Sequence, residues 1–247
     1  MADEPAVGTI DPDEVAGFAR QAARWWDPEG EAKPLHRINP ARLQFIRDRL
    51  ASHFGRGATS LTPFTGLSLL DIGCGAGLVT EPMSRLGFAV TGLDAGAEMI
   101  AAAQAHAEET GLAIDYRTGT AEELETPFDV VLALEVVEHV PDPAAFLAAA
   151  ARLVRPGGAL IASTFNRTAR SFFLGVVAAE HLLGLVPRGT HDWRRFRRPS
   201  ELAAALRGHG LSLKDLAGLR YDPLQDRWSL SRDIAVNYLF FAVRPTA

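Results

Sequence analysis

The chain has 247 residues, 47% hydrophobic and 22% charged, enough to bury an ample core without disulfides or a structural metal. A net charge of −5 gives no general attraction to nucleic acid, and the single cysteine, Cys74, excludes an intramolecular bridge and suits a reducing compartment. The acidic start, MADEPAVGTIDPDE, lacks the basic and apolar regions of a signal peptide.

Residues 1–12 read as a disordered N-terminus, and 13–247 as a single domain whose residues 13–55 form a helical cap. The cap's first helix is expected over 13–26, and its second from Asn39, with Asn39 as N-cap and Pro40 at the first helical position. Residues 56–63 read as a linker. Five apolar runs follow: LSLLDI, FAVTGLD, IDYRTG, FDVVLALE and GALIASTF, with Ala-rich helical stretches among them. That alternation predicts an α/β architecture, a parallel sheet covered by helices on both faces. Beyond Asn166 the pattern breaks into an apolar and basic segment over 167–200, a helix near 199–209, and two strand-like runs. The last of these, AVNYLFFAV, is expected to close the sheet edge.

LLDIGCGAG is the strongest signal. An apolar strand delivers Asp71, and Gly73, Gly75 and Gly77 follow at alternate positions, letting the backbone turn with positive φ and approach a ligand closely. Asp94 ends the next strand, 21 residues past Gly73, where a carboxylate can accept from both ribose hydroxyls of an adenosine. Dinucleotide enzymes favour GxGxxG; here the third glycine comes one residue early, which argues against NAD. The loop resembles motif I of the class I S-adenosylmethionine-dependent methyltransferases, and TGLD their second motif. Their acid after the third strand is replaced by Thr120.

LEVVEHV ends the fourth strand, where doubly wound sheets place ligands. If the chain turns helical there, Glu135, Glu138 and His139 share one face. Three readings stay open: a divalent metal site of two carboxylates and an imidazole, an acid–base set with His139 as general base, or a polar cap on a helix.

RWWDPEGEAKPLHRINPARL, ALEVVEHVPDP, STFNRTARSF and VPRGTHDW together resemble the ubiquinone-biosynthesis O-methyltransferases, over about residues 18–242. The resemblance implies a Rossmann-like, mostly parallel seven-stranded sheet and methylation of catechol oxygens on polyprenylated rings, at a hydroxyphenol step and at the demethylubiquinol step. It implies cofactor contacts at Arg42, Gly73, Asp94 and Leu134, beside Asp71 and Gly75 of the loop. It also favours magnesium or a similar ion on Glu135, Glu138 and His139. A methyltransferase acting on another small molecule is the alternative, and a non-catalytic S-adenosylmethionine-binding regulator a more distant one.

SFFLGVVAAEHLLGLVP falls short of the roughly 20 residues that cross a bilayer. Arg188, Arg194, Arg195, Arg197 and Arg198 against Asp192 give the neighbouring stretch about +4, so residues 171–198 suit either an anionic membrane surface or a lid over the active site. The expected location is cytoplasmic, at the inner face of the membrane, with other ubiquinone-biosynthesis proteins as candidate partners and no nucleic acid.

Overall fold

A computed structural model describes residues 9–57, 60–173 and 193–246. Most of the apolar part of the 167–200 segment, and residues 1–8 of the expected disordered tail, lie outside the described residues.

Five strands form the parallel half of the sheet: β1 (Ser68–Ile72), β2 (Ala89–Asp94), β3 (Asp115–Thr118), β4 (Phe128–Leu134) and β5 (Val154–Phe165). β6 (Ser212–Asp222), β7 (Arg227–Ser231) and β8 (Asn237–Val243) add an antiparallel half, giving the order β3-β2-β1-β4-β5-β8-β6-β7. The sheet therefore has eight strands rather than seven, because the β6–β7 hairpin contributes an edge of its own. The final strand does not close the edge. All seven residues of β8 are buried, and so apolar a strand is more stable inserted between β5 and β6 than left with an open side.

Helices α3 (Thr80–Arg85), α4 (Ala97–Thr110), α5 (Pro143–Arg152) and α7 (Pro199–Gly208) cover the sheet, and one turn, α6 (Ala169–Ser171), follows β5. One core face gathers Leu70, Val131, Phe146, Leu160 and Phe240; the other gathers Phe45, Phe64, Leu69, Leu132 and Phe241. The alternation along β1 and β4 thus feeds two separate cores, one on each side of the sheet.

The N-terminal cap differs from expectation at both helices. α1 runs Pro12–Ala19 with Asp11 as N-cap, and only a short 3₁₀ turn, Ala22–Arg24, continues toward Trp26. Trp25 is buried, while the Trp26 indole N–H donates to the Ala76 carbonyl at 2.9 Å. One straight helix would turn these adjacent rings about 100° apart, so tertiary contacts end it. α2 spans Lys33–His53 and starts six residues before Asn39, with a proline in its first turn; Pro40 sits inside the helix on its exposed side. Burial of Ile38, Ala41, Phe45 and Ile46 on the opposite side offsets the hydrogen bond that Pro40 removes.

Candidate active site

The site is built at the carboxyl ends of β1, β2 and β4. β1 runs into the glycine loop, where Gly73 (φ 69°), Gly75 (φ 53°) and Gly77 (φ 95°) take conformations that L side chains rarely adopt. Backbone bonds from Gly73 and Cys74 N–H to the Leu93 carbonyl, at 2.8 and 3.1 Å, tie the loop to β2.

Asp94 holds this geometry. Its Oδ2 accepts from Gly75 N–H at 2.8 Å and its Oδ1 from Gly96 N–H at 2.9 Å. Burial raises its pKa, against the pull of those two N–H groups. Each oxygen keeps acceptor capacity for a ribose hydroxyl. Asp71 lies beneath the loop, 2% exposed, accepting from Thr80 Oγ1 at 2.7 Å. Burial, helped by Asp94 and opposed by the Thr80 bond, pushes its pKa up to about 7. Asp71 is thus hydrogen-bonded to the first residue of α3, and its burial keeps it off the open rim.

The cap closes over the loop. Beyond its bond to Ala76, Trp26 stacks on His106 of α4 with ring centroids 3.5 Å apart, and His106 Nδ1 lies 2.5 Å from buried Glu81.

Arg42 reaches the rim from α2 and is 3% exposed. Its guanidinium forms an ion pair with Glu135, and its Nε is buried without a hydrogen-bond partner. Burial lowers its pKa to about 10, with Glu138 opposing the fall. Leu134, half-buried, ends β4 opposite Ser163 of β5.

The chain then leaves the strand in a turn rather than a helix. Glu135 adopts φ 55°, its N–H donating to the Ser163 carbonyl at 3.0 Å and to Ser163 Oγ at 3.1 Å. Helix α5 begins only at Pro143, with Asp142 accepting from Ala144 and Ala145 N–H at 2.9 and 3.0 Å. The helix-cap reading of the three residues therefore does not hold, and neither does their shared helical face.

Each instead has its own partner. Glu135 turns to Arg42; Glu138, 4% exposed, accepts from Thr164 Oγ1 at 3.1 Å and leaves its Oε1 buried without a partner. Burial raises the Glu138 pKa. His139 Nδ1 lies 3.1 Å from Glu14 Oε2 of α1, with Phe18 edge-on to the ring at 5.5 Å. Burial depresses the imidazole pKa, but Glu14 and Glu138 outweigh it and hold it above the usual value. The residue types suit a divalent ion, yet among the described residues no three such groups stand close enough to share one.

The turn and the glycine loop meet. A Cβ at Gly73 would fall 2.5 Å from Val136 Cγ2, so only glycine admits this approach. The glycine loop and the turn that carries Glu135, Glu138 and His139 thereby share one rim. Sequence reasoning missed Glu14, Ser163, Glu81 and His106; they lie 125, 28, 25 and 25 positions from the groups they serve, and no local pattern marks such pairs.

A mostly parallel sheet, a GxGxG loop that follows Asp71 and is tied to Asp94, and a polar turn at the end of β4 define a class I S-adenosylmethionine-dependent methyltransferase. Residues 70–162 match the family described as methyltransferase domain. The fold is similar to magnesium protoporphyrin IX methyltransferase from Synechocystis PCC 6803, solved with bound SAH: TM-score 0.66 at 22% identity, covering 93% of this chain and 94% of that one. Sequence relatives are nearer. The ubiquinone biosynthesis O-methyltransferase of Paramagnetospirillum magneticum is 52% identical over 96% of each chain. That of Maricaulis maris is 53% identical over 96% of this chain and 94% of its own. The chain belongs to the ubiquinone biosynthesis O-methyltransferase family.

Proposed function

We propose that the chain moves the methyl group of S-adenosylmethionine to a catechol-type oxygen of polyprenylated ubiquinone precursors, at a 2-polyprenyl-6-hydroxyphenol step and again at a 3-demethylubiquinol step. The observation that supports this most directly is the approach of Val136 to Gly73, which sets the His139 turn against the cofactor loop. A phenol has a pKa of about 10, so the acceptor oxygen needs help to lose its proton at neutral pH. His139 is the general base for that proton. Asp94 and the backbone around Gly73 and Gly75 hold adenosine, and Leu134 gives apolar contact beside it. Arg42 takes the methionine carboxylate as a bidentate partner once Glu135 yields its place. The sulfonium charge vanishes as the methyl moves, so the residues contribute mainly alignment and a deprotonated oxygen.

A second reading places magnesium or a similar ion on Glu135, Glu138 and His139. The unpartnered Oε1 of Glu138 favours it. Such an ion supplies a lowered phenol pKa when bound. It requires Glu135 to leave Arg42 and the three side chains to converge.

Residues 171–198 are proposed to touch the inner face of an anionic membrane, where a polyprenyl substrate resides. Exposed Phe172 and Phe173 support this, and no helix among the described residues is long and apolar enough to cross a membrane. Other ubiquinone-biosynthesis proteins are proposed partners there. The test is methyl transfer to short-chain analogues of both ring substrates, with and without exhaustive chelation. Turnover of both supports the reading, and full turnover after chelation removes the ion.

A further inference from the structure

We propose that Glu14, on the N-terminal helix, is a positioning residue for the methyl-transfer step: it fixes the His139 imidazole in the Nδ1–H tautomer, leaving Nε2 as the proton acceptor. The inference rests on the reading of His139 as base and adds the group that orients it.

The geometry is that of a carboxylate bridging an imidazole and a guanidinium. Glu14 Oε2 stands 3.1 Å from His139 Nδ1, while its Oε1 stands 3.3 Å from Arg195 Nη1. Arg195 is shared with Asp11 Oδ2, also at 3.3 Å, so α1 is tied at two points to the residues after β5. Phe18, one helical turn beyond Glu14, packs edge-on to the imidazole and restricts its rotation. A neutral imidazole carries one N–H. An ionised carboxylate can only accept, so Nδ1 must donate to it and the lone pair must sit on Nε2. Removing the carboxylate releases both ring orientation and tautomer. The hydrogen bond to His139 lowers the Glu14 pKa most, against burial, and Arg195 adds to it, so the carboxylate stays ionised.

In the step itself the phenolic O–H proton passes to His139 Nε2. The oxygen pair forms the new C–O bond, and the methyl–sulfur bond breaks with its pair returned to sulfur, leaving S-adenosylhomocysteine and the methyl ether. The imidazolium then returns its proton to solvent, and Glu14 carries no proton through the cycle. The consequence is that helix α1, which lies ahead of the cap's RWWD block, completes the acceptor side of the site.

The experiment uses the full-length protein, ¹⁵N-labelled at histidine, and observes the His139 ring nitrogens at alkaline pH where the ring is neutral. Wild-type protein is expected to show the Nδ1–H tautomer. Glu14→Leu is expected to lose it and to drop kcat by about 10- to 100-fold, with KM for S-adenosylmethionine within about twofold of wild type. Glu14→Asp, which keeps the carboxylate one methylene short, should recover the tautomer and part of kcat. A wild-type ring protonated at Nε2, or a Glu14→Leu enzyme with undiminished kcat, overturns the proposal. His139→Ala separates the two levels. If it is inactive while Glu14→Leu is fully active, only the role of Glu14 falls; if it is fully active, the base falls and Glu14 with it.

Discussion

Replacing Asp71 by asparagine should make the cofactor-free protein more stable at neutral to alkaline pH. The side chain is 2% exposed, and burial pushes its pKa to about 7, against 3.8 for an unperturbed aspartate. The native state therefore retains a proton that the unfolded chain has lost between about pH 4 and pH 7. Stability attributable to the group is fully present below about pH 4, falls as pH rises through that window, and is flat above it. At about 1.36 kcal/mol per pKa unit, the ionised carboxylate works against folding by about 4 kcal/mol at pH 8. Asparagine has no charge to bury and can still accept from Thr80 Oγ1. Urea unfolding of wild type and Asp71→Asn, without cofactor, reads the difference directly. The variant should gain up to about 4 kcal/mol at pH 8, or a Tm higher by about 8–16 °C, with the gain shrinking to less than half near pH 5. A variant no more stable than wild type at pH 8, or one whose advantage is the same at both pH values, would refute the reasoning.

Asp94→Ala removes the acceptor that Gly75 and Gly96 N–H share, and should weaken S-adenosylhomocysteine binding by about 10- to 100-fold in calorimetry. Unaltered affinity would show that the ribose assignment is wrong. Gly73→Ala sets a methyl 2.5 Å from Val136 at φ 69°, and should cost about 1–3 kcal/mol in thermal unfolding. Its pairing with Val136→Ala should recover part of that loss, and no recovery in the double variant would mean that the contact does not set the approach of loop and turn.

The glycine loop was legible because strand, turn and helix follow one another within the same dozen residues, and the glycines satisfy a local backbone demand. The central strands β1 and β4 were legible for a related reason: buried on both faces, they read as apolar runs interrupted by one aspartate each, whereas β3 is exposed at three of its four residues. What escaped was decided at a distance. The turn after Leu134 looks helical in spacing, yet Ser163 captures the Glu135 N–H and holds that residue at positive φ. Pro40 carried a helix-start signal that the buried side of α2 overrides. β8 is the last strand in sequence and was expected at the sheet edge, whereas its seven buried residues place it between β5 and β6. Of Glu135, Glu138 and His139, the residue types were legible and the partners were not: Arg42, Thr164 and Glu14 come from three other elements.

The central claim is that one rim grips S-adenosylmethionine and aligns its methyl with a deprotonated ring oxygen. The most direct measurement offers purified protein labelled S-adenosylmethionine and a short-chain prenylated catechol, beside the same ring with both oxygens already methylated. Label should pass to the catechol, with one S-adenosylhomocysteine formed per methyl ether, and none should pass to the blocked ring. Absence of transfer to the catechol, by protein that demonstrably binds the cofactor, would contradict the account.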